Sequence, residues 1–129
     1  MTVRIAVFAS GSGTNLQALL DRFGGPGGDA SRRAEVALVV ADRPEAGALE
    51  RARAAGAEAC VVPVHGRSTD DVAQDTLNVL ETARVDMIAL AGYLRLVPTE
   101  VVRRFRGRIV NIHPALLPAF GGRGMYGIR

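Results

Sequence analysis

Apolar runs alternate along this chain with amphipathic segments. The runs are rich in β-branched residues and lack strict apolar–polar alternation, which predicts strands buried on both faces. They lie at residues 3–9, 36–41, 59–63, 86–92 and 108–112. Because neighbouring parallel strands need a crossover connection, we expect the intervening segments to form helices.

Capping and breaking residues predict the bounds of four helices, at residues 14–22, 44–56, 68–83 and 98–105. Thr14 and Gln17 match a capping box at the start of the first helix. Pro44 suits the first position of the second helix. Ser68 is the expected N-cap of the third, with two aspartates in the turn that follows.

This order of elements predicts one domain over residues 1–129, with an α/β, doubly wound, Rossmann-like open sheet. The sheet should be mainly parallel, with helices on both faces. Ligands of such sheets bind outside the carboxyl ends of the strands. Unusual turns begin at such ends at Ser10, Gly92 and Asn111, so we expect the functional site there.

Composition narrows the function classes. The chain has 129 residues, 48% of them hydrophobic, which argues against disorder. Its 16 basic residues are all arginine, they are scattered, and only 5% of residues are aromatic, so nucleic-acid binding is not expected. Without lysine there is neither a Schiff-base lysine nor a P-loop lysine. No apolar run is long enough to span a membrane and no leader is evident, so we expect a cytoplasmic protein.

Metal and thiol chemistry are not favoured. The single cysteine, Cys60, lies in an apolar run and is expected to be a structural thiol. His65 and His113 are far apart and have no cysteine or carboxylate at ligand spacing, so no metal site is predicted.

The glycine-rich stretch GSGTN, residues 11–15, follows the first apolar run and enters the first helix. Such a turn exposes backbone N–H groups at a helix N-terminus, where an anion is favoured. Leu16 stands where a dinucleotide fingerprint needs its third glycine. Gly13, Thr14 and Asn15 are therefore candidates to bind a phosphate monoester, with a merely tight strand-to-helix turn as the alternative.

Two further stretches carry candidate chemistry. In NIHPALLP, Asn111 and His113 are two residues apart at a strand end and point to the same side. The amide can stabilise an oxyanion and the imidazole can move protons, although a core histidine beside a turn-capping asparagine has the same pattern. AGYLRLV, residues 91–97, either packs in the core or grips a flat heterocycle through main-chain hydrogen bonds.

Together, GSGTN, LAGYLRLV and NIHPALLP resemble the glycinamide ribonucleotide formyltransferases, folate-dependent enzymes of purine biosynthesis, in order and spacing from about residue 3 to residue 120. The resemblance implies transfer of a formyl group from 10-formyltetrahydrofolate, the co-substrate, to the amine of glycinamide ribonucleotide, with no metal. It implies small-molecule partners and leaves a homodimer open. Alternatives are a non-catalytic phosphosugar-binding fragment and a 10-formyltetrahydrofolate hydrolase.

The resemblance also implies roles for single residues. Gly13, Thr14 and Asn15 would hold the phosphate, and Asn111 and His113 would be catalytic. The pterin pocket would be lined by Leu94, Arg95, Leu96 and Val97. The family has a folate-binding arginine just before the third helix, where Thr69 stands in this chain, so Arg67 is expected to substitute for it.

The sequence also differs from the family pattern at its end. The family's catalytic aspartate lies downstream of NIHP, and residues 121–129 contain no acidic residue. We therefore expect a C-terminally truncated formyltransferase N-terminal domain, catalytically impaired when isolated.

Overall fold

The computed structural model of the protein describes residues 2–28 and 33–112. Within them the strands are β1 Val3–Ala9, β2 Ala34–Ala41, β3 Glu58–Val61, β4 Met87–Leu90 and β5 Ile109–Asn111. The helices are α1 Thr14–Phe23, α2 Gly47–Ala54, α3 Thr69–Thr82 and α4 Thr99–Arg104. The candidate His113 and the LLP stretch that follows it lie outside the described residues.

All strand pairs in the described sheet are parallel, in the order β3-β2-β1-β4-β5. The chain winds from the central β1 outwards to β3, and then returns to the other side of β1 to form β4 and β5. This arrangement confirms the predicted doubly wound sheet. The point where the winding reverses lies between β1 and β4, which is where such sheets form a crevice for ligands.

Side chains of β1 enter two hydrophobic clusters, one on each face of the sheet. Val7 packs with residues of α1 and α2, whereas Phe8 packs with residues of α3 and α4. Because consecutive side chains of a strand point to opposite faces, both faces of β1 are buried, as its unbroken apolar run predicted.

α1 begins at Thr14, as predicted, but it is capped differently. Gly13 is the N-cap, in a left-handed conformation with φ +85°, and it provides no side-chain cap, so the predicted capping box at Thr14 is wrong. The reason is the packing of α2 against this turn, since a Cβ on Gly13 would lie 2.7 Å from the Cα of Ala48. A residue with a side chain cannot occupy this position without displacing α2.

The starts of α2 and α3 gave different outcomes. α2 begins at Gly47, three residues after the predicted Pro44, because residues 43–46 form a turn in which Ala46 N–H donates to Arg43 O at 3.4 Å. The predicted cap of α3 is confirmed, since Ser68 Oγ accepts a hydrogen bond from Asp71 N–H at 3.1 Å.

Candidate functional site

Three turns meet at the carboxyl ends of β1, β2 and β4, and the one after β2 begins with Asp42. We call residues 10–15 the glycine turn and residues 92–97 the leucine turn. Ser10 joins them, because its N–H donates to Gly92 O at 3.3 Å and its Oγ accepts from Leu94 N–H at 2.8 Å. On the other side, Ala48 N–H donates to Gly11 O at 3.2 Å. The structure therefore brings the predicted phosphate segment and the predicted pterin segment to one crevice.

The glycine turn has the features of an anion site. The first hydrogen bond of α1 runs from Gln17 N–H to Gly13 O at 2.8 Å, so the preceding N–H groups have no partner within the helix. No acidic residue stands in the first turn of this helix. Thr14 is exposed and Asn15 is half-buried. The three predicted phosphate residues thus lie at an open, positively polarised helix end.

Arg51 of α2 supports this turn, and sequence reasoning missed it. Its Nε donates to Ser12 O at 2.8 Å, and its Nη1 donates to Gln17 Oε1 at 3.1 Å. The guanidinium therefore holds the turn from outside and adds positive charge beside it. Nothing in the sequence distinguished this arginine from its neighbours, because only the packing of α2 brings it across 39 positions of sequence to Ser12.

The predicted pterin residues line a groove of about 450 Å³ between the leucine turn and the start of α3. We call it the donor groove; its lining includes Arg67, Thr69 and the segment from Leu94 to Val97. The side chains of Leu94 and Leu96 are unusually open for their type, with residue exposures of 74% and 92%. Exposed leucines beside a groove form an apolar wall that a flat ring can cover.

Arg67 lies in this groove with its guanidinium already bonded. Its Nη1 donates to Pro63 O at 2.9 Å and its Nη2 donates to Asp75 Oδ2 at 2.6 Å. These contacts orient the guanidinium at the groove, and Thr69, the position implied by strict counting, lines the same groove. Contact of either residue with a folate stays a prediction.

Arg95 lines the groove, and its guanidinium reaches a buried carboxylate. Its Nε donates to Oδ2 of Asp42 at 2.9 Å, and the Asp42 side chain is 0% exposed. Burial raises the pKa of Asp42, but the Arg95 guanidinium, the Ser10 hydroxyl and the Arg43 charge together outweigh it, so this pKa lies below its ordinary value. Asp42 is therefore an ionised group inside the site, which sequence reasoning missed because an aspartate after a strand is common in turns.

Tyr93 lies beside this ion pair. Its ring packs edge-on against Phe8, with the ring centroids 5.3 Å apart. Burial and the negative charge of Asp42 raise the pKa of Tyr93 to about 12, although the positive charge of Arg95 opposes them. The phenol is neutral near pH 7 and contributes packing to the leucine turn.

Asn111 is exposed at the end of β5, in register with Leu90, whose O accepts a hydrogen bond from Ile112 N–H at 2.9 Å. Ile109 packs on the α3–α4 side of the sheet, and Asn111, two residues later, lies on the same face. The predicted oxyanion donor therefore lies at the end of β5, beside the point where β4 leads into the leucine turn. Its catalytic role, like that of His113, stays a prediction.

The described residues also bear on whether the protein has a metal site, a membrane span or a reactive thiol. Among them, no group of three or more histidine, cysteine, aspartate or glutamate side chains is placed to hold a metal ion. No helix in the same residues has the length and apolar character needed to cross a membrane. Cys60 is half-buried, and burial together with the Glu58 charge raises its pKa to about 11, so the thiol is protonated near neutral pH.

Comparison with known proteins decides the family. A family model described as formyl transferase matches residues 3–128. The chain belongs to the formyl transferase family. This result confirms the resemblance seen in the three sequence motifs.

Individual members of the family support the same assignment. The chain is 41% identical over 128 residues to the chloroplastic phosphoribosylglycinamide formyltransferase of Arabidopsis thaliana, covering 98% of this chain and 42% of that protein. It is 40% identical over 125 residues to phosphoribosylglycinamide formyltransferase of Bacillus subtilis, covering 92% and 60%. The crystal structure of the Brucella melitensis phosphoribosylglycinamide formyltransferase superimposes with a TM-score of 0.79 at 36% identity, covering 95% and 62%. This chain thus spans about half the length of these relatives, and its α/β fold is theirs.

Proposed function

We propose that this chain provides the phosphate-binding and donor-binding part of a phosphoribosylglycinamide formyltransferase. The reaction would transfer the formyl group of 10-formyltetrahydrofolate to the amine of glycinamide ribonucleotide. The observation that carries this proposal is the bond between Leu94 N–H and Ser10 Oγ, at 2.8 Å, because it joins the glycine turn to the leucine turn, which borders the apolar groove. One substrate has a phosphate and the other has a flat pterin, so the two turns match the two substrates.

The glycine turn would bind the acceptor. The N–H groups before Gln17, which have no partner within α1, and the exposed Thr14 hydroxyl can donate to the phosphate oxygens, and the N-terminal end of α1 favours their negative charge. Arg51 holds Ser12 O and so keeps these donors in place. The phosphate would anchor the ribonucleotide and point its amine towards the end of β5.

The donor groove would bind the pterin. Leu94 and Leu96 offer an apolar wall, and the main chain between them can donate to and accept from the ring edges. Arg67 stands at the same groove and would pair with a carboxylate of the folate.

The chemistry would then take place at the end of β5. The amine attacks the formyl carbon and gives a tetrahedral intermediate, whose oxyanion accepts a hydrogen bond from the Asn111 amide. The His113 imidazole would accept the proton lost by the amine and return one to the departing folate nitrogen. Holding both substrates in one crevice removes most of the entropic cost of their encounter.

Kinetic analysis of the natural full-length protein tests the proposal. Wild type should transfer formyl from 10-formyltetrahydrofolate to glycinamide ribonucleotide, and Asn111→Ala should lower kcat about 100-fold through loss of the oxyanion donor. Asn78→Ala is the matched control, because Asn78 lies on α3 and bonds to Gln74 away from the site.

Three other results would contradict the proposal. Near-normal turnover by Asn111→Ala would leave Asn111 only a turn-capping role. Formate release without ribonucleotide would indicate a hydrolase. Binding of the ribonucleotide with no transfer by wild type would indicate a phosphosugar-binding protein.

A further inference from the structure

The leucine turn presents Leu94 and Leu96 to solvent, whereas Tyr93 and Val97 on either side of them pack against the core cluster of α3 and α4. Leu94 and Leu96 are 74% and 92% exposed, so they gain almost nothing from the hydrophobic core. A stretch whose apolar side chains are exposed, such as residues 94–96, is ordinarily among the first parts of a protein to open. The shape of the donor groove therefore depends on the polar contacts that this segment makes.

One such contact uses the main chain. Ser10 is 2% exposed, and its Oγ accepts the hydrogen bond from Leu94 N–H at 2.8 Å. This bond fixes the first residue of the exposed wall to the end of β1, and it leaves the next residue, Arg95, to be held separately.

The second contact is an ion pair that reaches β2. Asp42 directly follows β2, and its Oδ2 accepts from Arg95 Nε at 2.9 Å. Its other oxygen, Oδ1, is buried and accepts no hydrogen bond from residues 2–28 or 33–112, and Arg43 Nε lies 3.9 Å from it. Of the two arginines beside this buried carboxylate only Arg95 is within hydrogen-bond distance, so the carboxylate depends strongly on that guanidinium.

Burial also limits what Asp42 can do. Its side chain is 0% exposed, whereas that of Arg95 is 35% exposed. The carboxylate is therefore out of reach of a ligand in the groove, and any influence on substrate must pass through Arg95 and the turn that carries it.

We propose that Asp42 is a positioning residue for the formyl donor, which it serves by anchoring Arg95 and thereby fixing the main chain of the leucine turn. The inference rests on the proposed function for the identity of the donor. Asp42 and Ser10 fix neighbouring residues of the turn from two different strands, so residues 94 to 97 are held open before any ligand arrives. Such preorganisation lowers the cost of binding a rigid ring.

Asp42→Asn in the natural full-length protein is the direct test, because it removes the charge and keeps the size. We expect the KM for 10-formyltetrahydrofolate to rise about tenfold, with the KM for glycinamide ribonucleotide within about twofold and kcat within about threefold. Hydrogen exchange of the amides in residues 93–97 should become about fivefold faster or more in the absence of substrates. A merely structural aspartate would change neither the ratio of the two KM values nor exchange confined to this turn.

Glu81→Gln is the matched control. Glu81 pairs with Arg104 on the surface at the end of α3, which precedes β4, whereas the leucine turn follows β4, so its loss should leave both KM values and the exchange of residues 93–97 unchanged. If Asp42→Asn does not fold, Ser10→Ala tests the same turn through its other contact and should raise the donor KM and speed exchange at Leu94.

The outcomes separate the two proposals. If wild type transfers formyl but Asp42→Asn changes neither donor KM nor exchange, the positioning role is wrong and the proposed function stands. If wild type shows no transfer but Asp42→Asn still speeds exchange at residues 93–97, Asp42 anchors the turn and the proposed function is wrong. The role of Asp42 in binding the formyl donor is then wrong as well.

Discussion

The glycine turn and the leucine turn lie side by side in the crevice but are held by opposite means. In the glycine turn the fixed part is the backbone itself, since Gly13 packs directly against Ala48 of α2. In the leucine turn Tyr93 and Val97 pack on the core, but Leu94 and Arg95 between them are held by the side chains of Ser10 and Asp42. Close packing makes the first turn intolerant of added atoms, whereas the second turn is sensitive to the loss of a charge or a hydroxyl.

The largest effect is expected from adding a methyl group to the glycine turn. Gly13→Ala should lower the free energy of unfolding by about 3 kcal/mol, because φ is +85° and the new Cβ would lie 2.7 Å from Ala48 Cα. Gly11→Ala is the matched control, since a Cβ there meets nothing within 4 Å and its φ is not positive. It should cost no more than about 0.5 kcal/mol.

Denaturant unfolding of both variants measures this difference. Equal losses for the two alanines would mean that the glycine turn is not fixed by its packing on α2, and the contrast between the turns would fail.

A smaller effect should distinguish the two turns by which substrate's KM changes. Arg51→Met removes the donors to Ser12 O and Gln17 Oε1. We expect the KM for the ribonucleotide to rise about fivefold while the KM for the formyl donor stays within about twofold. Arg53→Met is the control on the same helix, because Arg53 pairs only with the exposed Glu50 among its described neighbours.

Steady-state kinetics with each substrate varied in turn gives this comparison. A rise in the donor KM instead would show that the glycine turn and the leucine turn respond as one unit.

The smallest expected effect is on the free energy of unfolding at low pH. The pKa of Asp42 in the folded protein lies below its ordinary value of 3.8, so its ionised form stabilises the fold. That contribution is complete above the unfolded value and is lost as the pH falls through the lower folded value. Wild type should therefore lose more unfolding free energy between pH 6 and about pH 2.5 than Asp42→Asn does.

Urea unfolding across this pH range provides the measurement, and the other carboxyl groups are common to both proteins and cancel in the comparison. Parallel curves for wild type and variant would show that Asp42 is not stabilised by its surroundings, and the anchoring of Arg95 would lose its basis.

The sequence predicted the sheet and the location of the site but not the contacts that shape it. Unbroken apolar runs predicted the five strands because parallel strands are buried on both faces. The bounds of α2 were missed because Pro44 fits a turn as well as a first helical turn. Arg51 and Asp42 were missed because their partners are 39 and 53 positions away, and pattern in one segment carries no information about a neighbour brought in by strand order.

The contact between Ser10 and Leu94 also has a consequence for the order of folding. It joins residues 84 positions apart, across the pairing of β1 with β4. Contacts so distant in sequence are slow to form, since the intervening chain must first lose its freedom. The first β-α-β unit can therefore form well before the crevice exists. During synthesis no ligand can bind to both turns until the ribosome has translated beyond residue 94. A substrate analogue added during refolding would thus report the pairing of β1 with β4, not the start of sheet formation.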